Sequence, residues 1–169
     1  MPKDRAALAT GSPVRSGVPH HGLLGKAKDL RKTSLKIDAK LGTDGSLTIT
    51  LKNEHAAHYV PSGLPERRIV VRVRLVDPSG KTETWHEQRE LGRMLVDANG
   101  KEVPFWAATR VGSDTRIAPG GQSSMTFAVP SKGTIQVLVL YRGLSEAIAN
   151  QLGVTDVEEQ ELLKKVLKK

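Results

Sequence analysis

Apolar and polar residues alternate with a period of two along most of this chain, and Gly, Pro and Asp cut the alternation at short intervals. Leu35, Ile37, Ala39 and Leu41 alternate with polar residues, Gly42-Thr43-Asp44-Gly45 interrupts them, and Leu47, Ile49 and Leu51 resume the pattern. Successive side chains of a strand point to opposite faces, so this spacing predicts a hairpin with one face buried and one wet. The same rule predicts a strand at 69–77, with Ile69, Val71, Val73 and Leu75 toward the core. A partner strand at 81–89 follows the type I turn sequence Asp77-Pro78-Ser79-Gly80. Residues 91–96 and 101–103 form a short hairpin about Asp97-Ala98-Asn99-Gly100, and residues 105–121 read as less regular. Strands at 122–129 and 134–141 complete the series, turning on Pro130-Ser131-Lys132-Gly133. Seven or eight short antiparallel strands so arranged predict a mainly β fold, an Ig-like, Greek-key β-sandwich.

The flanks differ in character. Residues 1–33 carry Pro, Gly, Ser and charge without a sustained period, which predicts an extended arm. Residues 34–142 are the sandwich, and 143–169 are expected to be helical. A first helix spans 145–152 and stops at Gly153. A second begins at the capping-box pair Thr155 and Glu158 and carries the stripe Val157, Leu162, Leu163, Val166 and Leu167 to the C-terminus.

Composition closes off several function classes. A chain of 169 residues suits one domain with appended tails. It has no cysteine, which excludes disulfides, thiolate metal sites, cysteine nucleophiles and covalent haem attachment through this chain. The net charge of +8 is dispersed over the first forty residues, 67–74 and the lysine-rich end, a pattern of solubility and weak steering. No specific nucleic-acid binding is expected from it. No run of about 18 apolar residues exists, so no transmembrane segment is predicted. The N-terminus lacks the apolar core of a secretory signal.

Ligand-type side chains collect in one connection, Asn53 to Arg68, which holds His55, His58, Pro61, Pro65, Arg67 and Arg68 between two strands. Loops of this kind carry function on rigid scaffolds. His20 and His21 adjoin one another in the arm. Neutral imidazole is the commonest metal ligand, so His20, His21 and His58, with His55, are candidates to hold zinc or haem iron. His86, beside Trp85 in a strand, reads as a packing or surface residue. No catalytic residue stands out. Ser62 lies in Pro-Ser-Gly rather than a nucleophile elbow, no carboxylate pair is set for glycoside hydrolysis, and Gly120-Gly121 follows a loop proline rather than opening a helix. Asp114 and Arg116 read as a salt bridge that could brace the histidine loop.

The segment Asn53, Ala57-His58-Tyr59-Val60-Pro61-Ser62-Gly63, Pro65 and Arg67-Arg68 resembles the Asn…Gly-His-x-x-Pro-Thr-Gly loop in the C-terminal β domain of multihaem c-type cytochromes. Leu91-Gly92-Arg93, Asp97, Gly100-Lys101, Val103-Pro104, Trp106, Asp114-Thr115-Arg116-Ile117, Pro119 and Leu140-Tyr141-Arg142 follow in that family's order. The resemblance runs from about Pro19 to Val157. It departs where Ala57 replaces Gly and Ser62 replaces Thr, and in lacking any Cys-x-x-Cys-His. Met1-Pro2 followed by Pro19-His20-His21-Gly22 resembles what comes after a last haem motif, so the reading frame is expected to start late or to be truncated there.

This resemblance implies electron transfer. It makes His20 or His21, and less directly His58, axial ligands to haem c carried by other segments of a full-length parent, with Arg67 and Arg68 pairing its propionates. It implies redox proteins or haem-bearing segments as partners and a periplasmic or extracellular location. The chain alone is expected to be haem-free and non-catalytic. Two other readings compete: a stand-alone module whose loops bind protein or carbohydrate, and an enzyme such as a histidine-metal hydrolase.

Overall fold

The computed structural model describes residues 3–6, 13–19, 28–76, 83–129 and 133–168. The chain forms two compact units, Met1–Leu30 and Arg31–Lys169. In the first, β1 (Lys3–Ala6) pairs antiparallel with β2 (Arg15–Pro19). Strands of four and five residues with no apolar alternation leave no periodic trace, which is why this ladder was not legible in the sequence. His20, His21 and the turn 77–80 lie outside the described residues. A short helix, α1 (Lys28–Thr33), leads to the second unit.

That unit is an antiparallel β-sandwich. One layer comprises β3 (Lys36–Leu41), β4 (Ser46–Lys52) and β8 (Gln122–Ala128), in the order β3-β4-β8. The other comprises β5 (Arg68–Val76), β6 (Glu83–Val96), β7 (Arg110–Asp114), β9 (Thr134–Arg142) and β10 (Glu159–Lys168), in the order β10-β9-β5-β6-β7. Strand β9 returns beside β5 after β8 has crossed to the other layer, a Greek-key return. Leu47, Ile49, Leu51 and Phe127 from the small sheet share one core with Ile69, Val71, Val73, Ile135, Val137 and Val139 from the large one. Each such fully buried side chain contributes about 1.5–3 kcal/mol relative to exposure. With few aromatics available, aliphatic side chains supply most of it.

Two elements depart from the sequence reading. Strand β6 is one continuous strand where the alternation suggested a strand followed by a separate hairpin. The expected helix through 155–169 is instead β10, so within the helical segment proposed for 143–169 only α2 (Glu146–Leu152) forms. The apolar doublet Leu162-Leu163 fits a helical stripe, but a strand accommodates it through a β-bulge. The register with β9 shifts between Glu161 and Leu163, so Leu162 is buried in the core and Leu163 still packs against it. Pairing engages the β9-facing backbone groups of β10 along its length and buries Leu162, which overrides a local helical preference. Helix α2 forms as predicted. Ser145 Oγ accepts from the Ile148 N–H at its start, and Gly153 ends it in the left-handed region at φ 65°.

The outward face of the large sheet carries a partly buried network of ion pairs. Arg142 donates from Nε to Glu159 at 2.8 Å and from Nη1 to Glu90 at 3.1 Å, while Arg72 grips Glu159 through both Nη atoms at 2.9 and 3.1 Å. Partial burial alone would push the Glu159 carboxyl up, but the hydrogen bonds from Arg142 and Arg72 outweigh it and hold the group below the usual carboxylate range. A carboxyl depressed on folding contributes stability at pH values above its unfolded value, and that contribution disappears as pH falls through the folded value. The Glu159 contribution should therefore be constant above about pH 5 and fall away below the ordinary glutamate value of 4.5. Glu159→Gln should flatten that acid limb in urea melts taken across pH 3–6.

Candidate functional site

The histidine loop is built around a buried amide. Asn53 is fully buried at the end of β4. Its Nδ2 donates to the carbonyl oxygens of His58 at 2.8 Å and Ile117 at 3.2 Å, and its Oδ1 accepts from the Ala56 N–H at 3.1 Å. Its backbone is paired as well, with Gly121 O and Gly120 N. One side chain therefore joins the loop's first turn, its histidine and the segment 117–121. Val60 and Ile117 exchange both backbone hydrogen bonds, and Val60–Pro61 is a cis peptide.

On this frame His58 stands exposed, with Nδ1 3.0 Å from the Tyr59 carbonyl oxygen. A carbonyl can only accept, so this contact uses Nδ1 as the donor and leaves Nε2 without a partner among the described residues. In the neutral ring this arrangement leaves the Nε2 lone pair for a metal, as in metal-binding histidines whose other nitrogen is held by a second partner. Beside it, Arg116 lies 5.0 Å from the centroid of the half-exposed Tyr59 ring and forms a bidentate pair with Asp114 at 2.8 and 2.6 Å. This hydrogen bonding holds the Asp114 carboxyl below its usual range and raises Arg116. The pair thus links the end of β7 to the histidine loop. His55 is also exposed, whereas the backbone places His86 within β6.

The two adjacent arginines fare differently. Arg68 is buried, with Nη1 donating to the carbonyls of Pro65 at 2.6 Å and Arg67 at 2.9 Å, and Nη2 to Glu102 Oε1 at 2.5 Å. Glu102 also accepts from Ser145 Oγ at 2.8 Å, tying α2 to this point. Arg68 thus has its donors committed inside the protein. Gly92 makes room for it: a Cβ there would sit 2.7 Å from Arg68 Cδ and 2.8 Å from the Arg67 carbonyl oxygen. Arg67 is half-buried, and among the described residues its guanidinium donates to the Ser62 carbonyl alone, at 2.9 Å. No carboxylate pairs with it among the described residues.

Two features escaped the sequence reading. Glu66 is buried, its Oε1 accepts the Phe105 N–H at 2.8 Å, and its Oε2 has no partner among the described residues. This bond holds a single 3-10 turn, Phe105–Ala107, against the loop, where Phe105 and Trp106 meet edge to face and remain largely exposed. Nothing in local spacing announces a contact across 39 residues. Among the described residues no group of three or more His, Asp or Glu could hold a metal by itself, and no helix is long and apolar enough to cross a membrane.

No family model and no curated protein matches the chain in sequence. Among solved structures it is similar to a penta-haem cytochrome c552 from Thermochromatium tepidum, with a TM-score of 0.71 and 18% identity over 90% of this chain. The match takes in 43% of that protein, so this chain spans less than half its length. At this identity the likeness is one of fold: the described β architecture is shared with part of a multihaem cytochrome.

Proposed function

We propose that this chain is a non-catalytic β-sandwich domain of the multihaem cytochrome type, which covers a haem carried on another segment or protein and presents His58 to its iron. The observation that carries this reading is the His58 ring: exposed, held on a loop braced by Asn53, and turned so that Nδ1 meets the Tyr59 carbonyl while Nε2 has no partner among the described residues. When bound, the haem would supply one-electron transfer. The chain's own residues orient an imidazole, exclude water with the sandwich wall, and offer Arg67 to acidic groups. Arg68 serves instead to root the loop. His20 and His21 remain candidates for the same iron on the strength of the resemblance. A periplasmic or extracellular setting and redox partner proteins belong to this reading.

The test uses the full chain and ferric protoporphyrin IX. The wild type should give a histidine-ligated Soret band, and His58→Ala should weaken porphyrin binding about tenfold or more and change the band, with His55→Ala as the neutral control. Unchanged affinity and spectrum in His58→Ala would sink the proposal. The exposed Phe105–Trp106 pair favours a second reading, a module that docks a protein or carbohydrate through aromatic side chains. Binding of neither porphyrin nor metal would favour it.

A further inference from the structure

We infer that the outer edge of β10 is an interface on which a second copy of this chain adds its own β10, antiparallel, across a two-fold axis. Strand β10 closes one end of the large sheet and pairs only with β9 among the described residues. From Glu161 onward, no described residue hydrogen-bonds its outward backbone groups. A ten-residue edge of this kind is a template for another strand unless the chain guards it. Two other edges of the sandwich are guarded. Strand β7 has five residues and slips its register with β6 at Gly112, and its Asp114 is tied to Arg116. Strand β3 is crossed by Lys165, whose Nζ lies 3.5 Å from the Ala39 carbonyl oxygen. In β10 the bulge at Glu161–Leu163 is the one break, and Leu163 to Lys168 keep regular register with β9 beyond it.

The occupant follows from the order of the charges. Opposite Leu140, Leu138, Gln136 and Thr134 of β9, the outward face of β10 carries Glu161, Lys164, Val166 and Lys168. All four are exposed, Val166 by 50%. The three charged residues form no ion pair among the described residues. Glu158 and Glu159, nearer the start, are already taken by Arg31, Arg72 and Arg142. The free charges thus run from acid to base along the strand. Laid antiparallel on itself, such a strand sets each acidic end against the partner's basic end, twice by symmetry. Laid parallel and in register, it sets like charge against like. The antiparallel pairing also brings the exposed Val166 against a neighbouring strand and joins two five-stranded layers into one sheet.

Sedimentation equilibrium on the full chain at low ionic strength tests this. A concentration-dependent dimer is expected, and the amides of 163–168 should gain hydrogen-exchange protection as concentration rises. Glu161→Lys should weaken dimerisation about tenfold, because two symmetry-related attractions become repulsions. Lys164→Glu combined with Lys168→Glu should do the same. Mixing these two variants should restore dimerisation to the wild-type affinity, since each strand then faces the opposite charge, and that rescue shows that both variants fold. A dimer that neither variant weakens, or protection gained away from 163–168, places the contact on another face and overturns the proposal. A chain that stays monomeric up to about 1 mM overturns it too, leaving the lysines as guards of the edge. No porphyrin enters the experiment, so its outcome is independent of the role of His58.

Discussion

Arg68→Ala should lower the unfolding free energy by about 3–5 kcal/mol, whereas Arg67→Ala one position earlier should cost under about 1 kcal/mol. The contrast follows from what each guanidinium leaves behind. Removing Arg68 strands Glu102 in a partly buried setting and unpairs the Pro65 and Arg67 carbonyls at the root of the histidine loop. It also empties the space above Gly92. Removing Arg67 exposes one carbonyl at a half-buried position. For a unit of this size the first loss corresponds to a melting shift of roughly 10 °C. Thermal and urea melts of both variants measure it. If the two lose the same stability, the division of labour assigned to this arginine pair is wrong.

Asn53→Ala is the second large effect, about 2–4 kcal/mol, with the loop affected beyond the loss of stability. The amide spans three backbone groups that no neighbouring side chain is placed to replace: His58 O, Ile117 O and Ala56 N. Asn53→Asp should be at least as damaging, because a carboxylate would face two carbonyl oxygens that need a donor. Hydrogen exchange should separate local from global loss. Protection should fall first at Val60 and Ile117, the backbone pair that the amide supports, while core amides of β5 and β9 follow global stability. Uniform loss of protection would mean that Asn53 stabilises the sandwich as a whole and does not specify the loop.

Much of the sandwich was legible because a half-buried strand writes its orientation into the chain. Leu47, Ile49 and Leu51 face inward in β4, and Ile69, Val71 and Val73 do so in β5, as the alternation required. Strand β7 was not legible because all five of its residues are exposed, so no inward face punctuates it. Strand β10 was misread because Leu162-Leu163 suits a helix unless a bulge and a waiting β9 edge are known. At the site, His58, Arg67 and Arg68 stood out by residue type. Glu66 gains its role only from Phe105, far along the chain, and Asn53 does so in part, by joining its own loop to Ile117.

The amino-acid order alone determined which residues turn inward, where most turns fall and that no cysteine chemistry is open to this protein, since these depend on side-chain identity and short-range spacing. Tertiary structure decided that a buried amide ties the histidine loop to Ile117, which of two neighbouring arginines is spent on the scaffold, and that the final segment completes a sheet. Those outcomes depend on carbonyls, carboxylates and strand edges brought together from distant parts of the chain, where local periodicity carries no information.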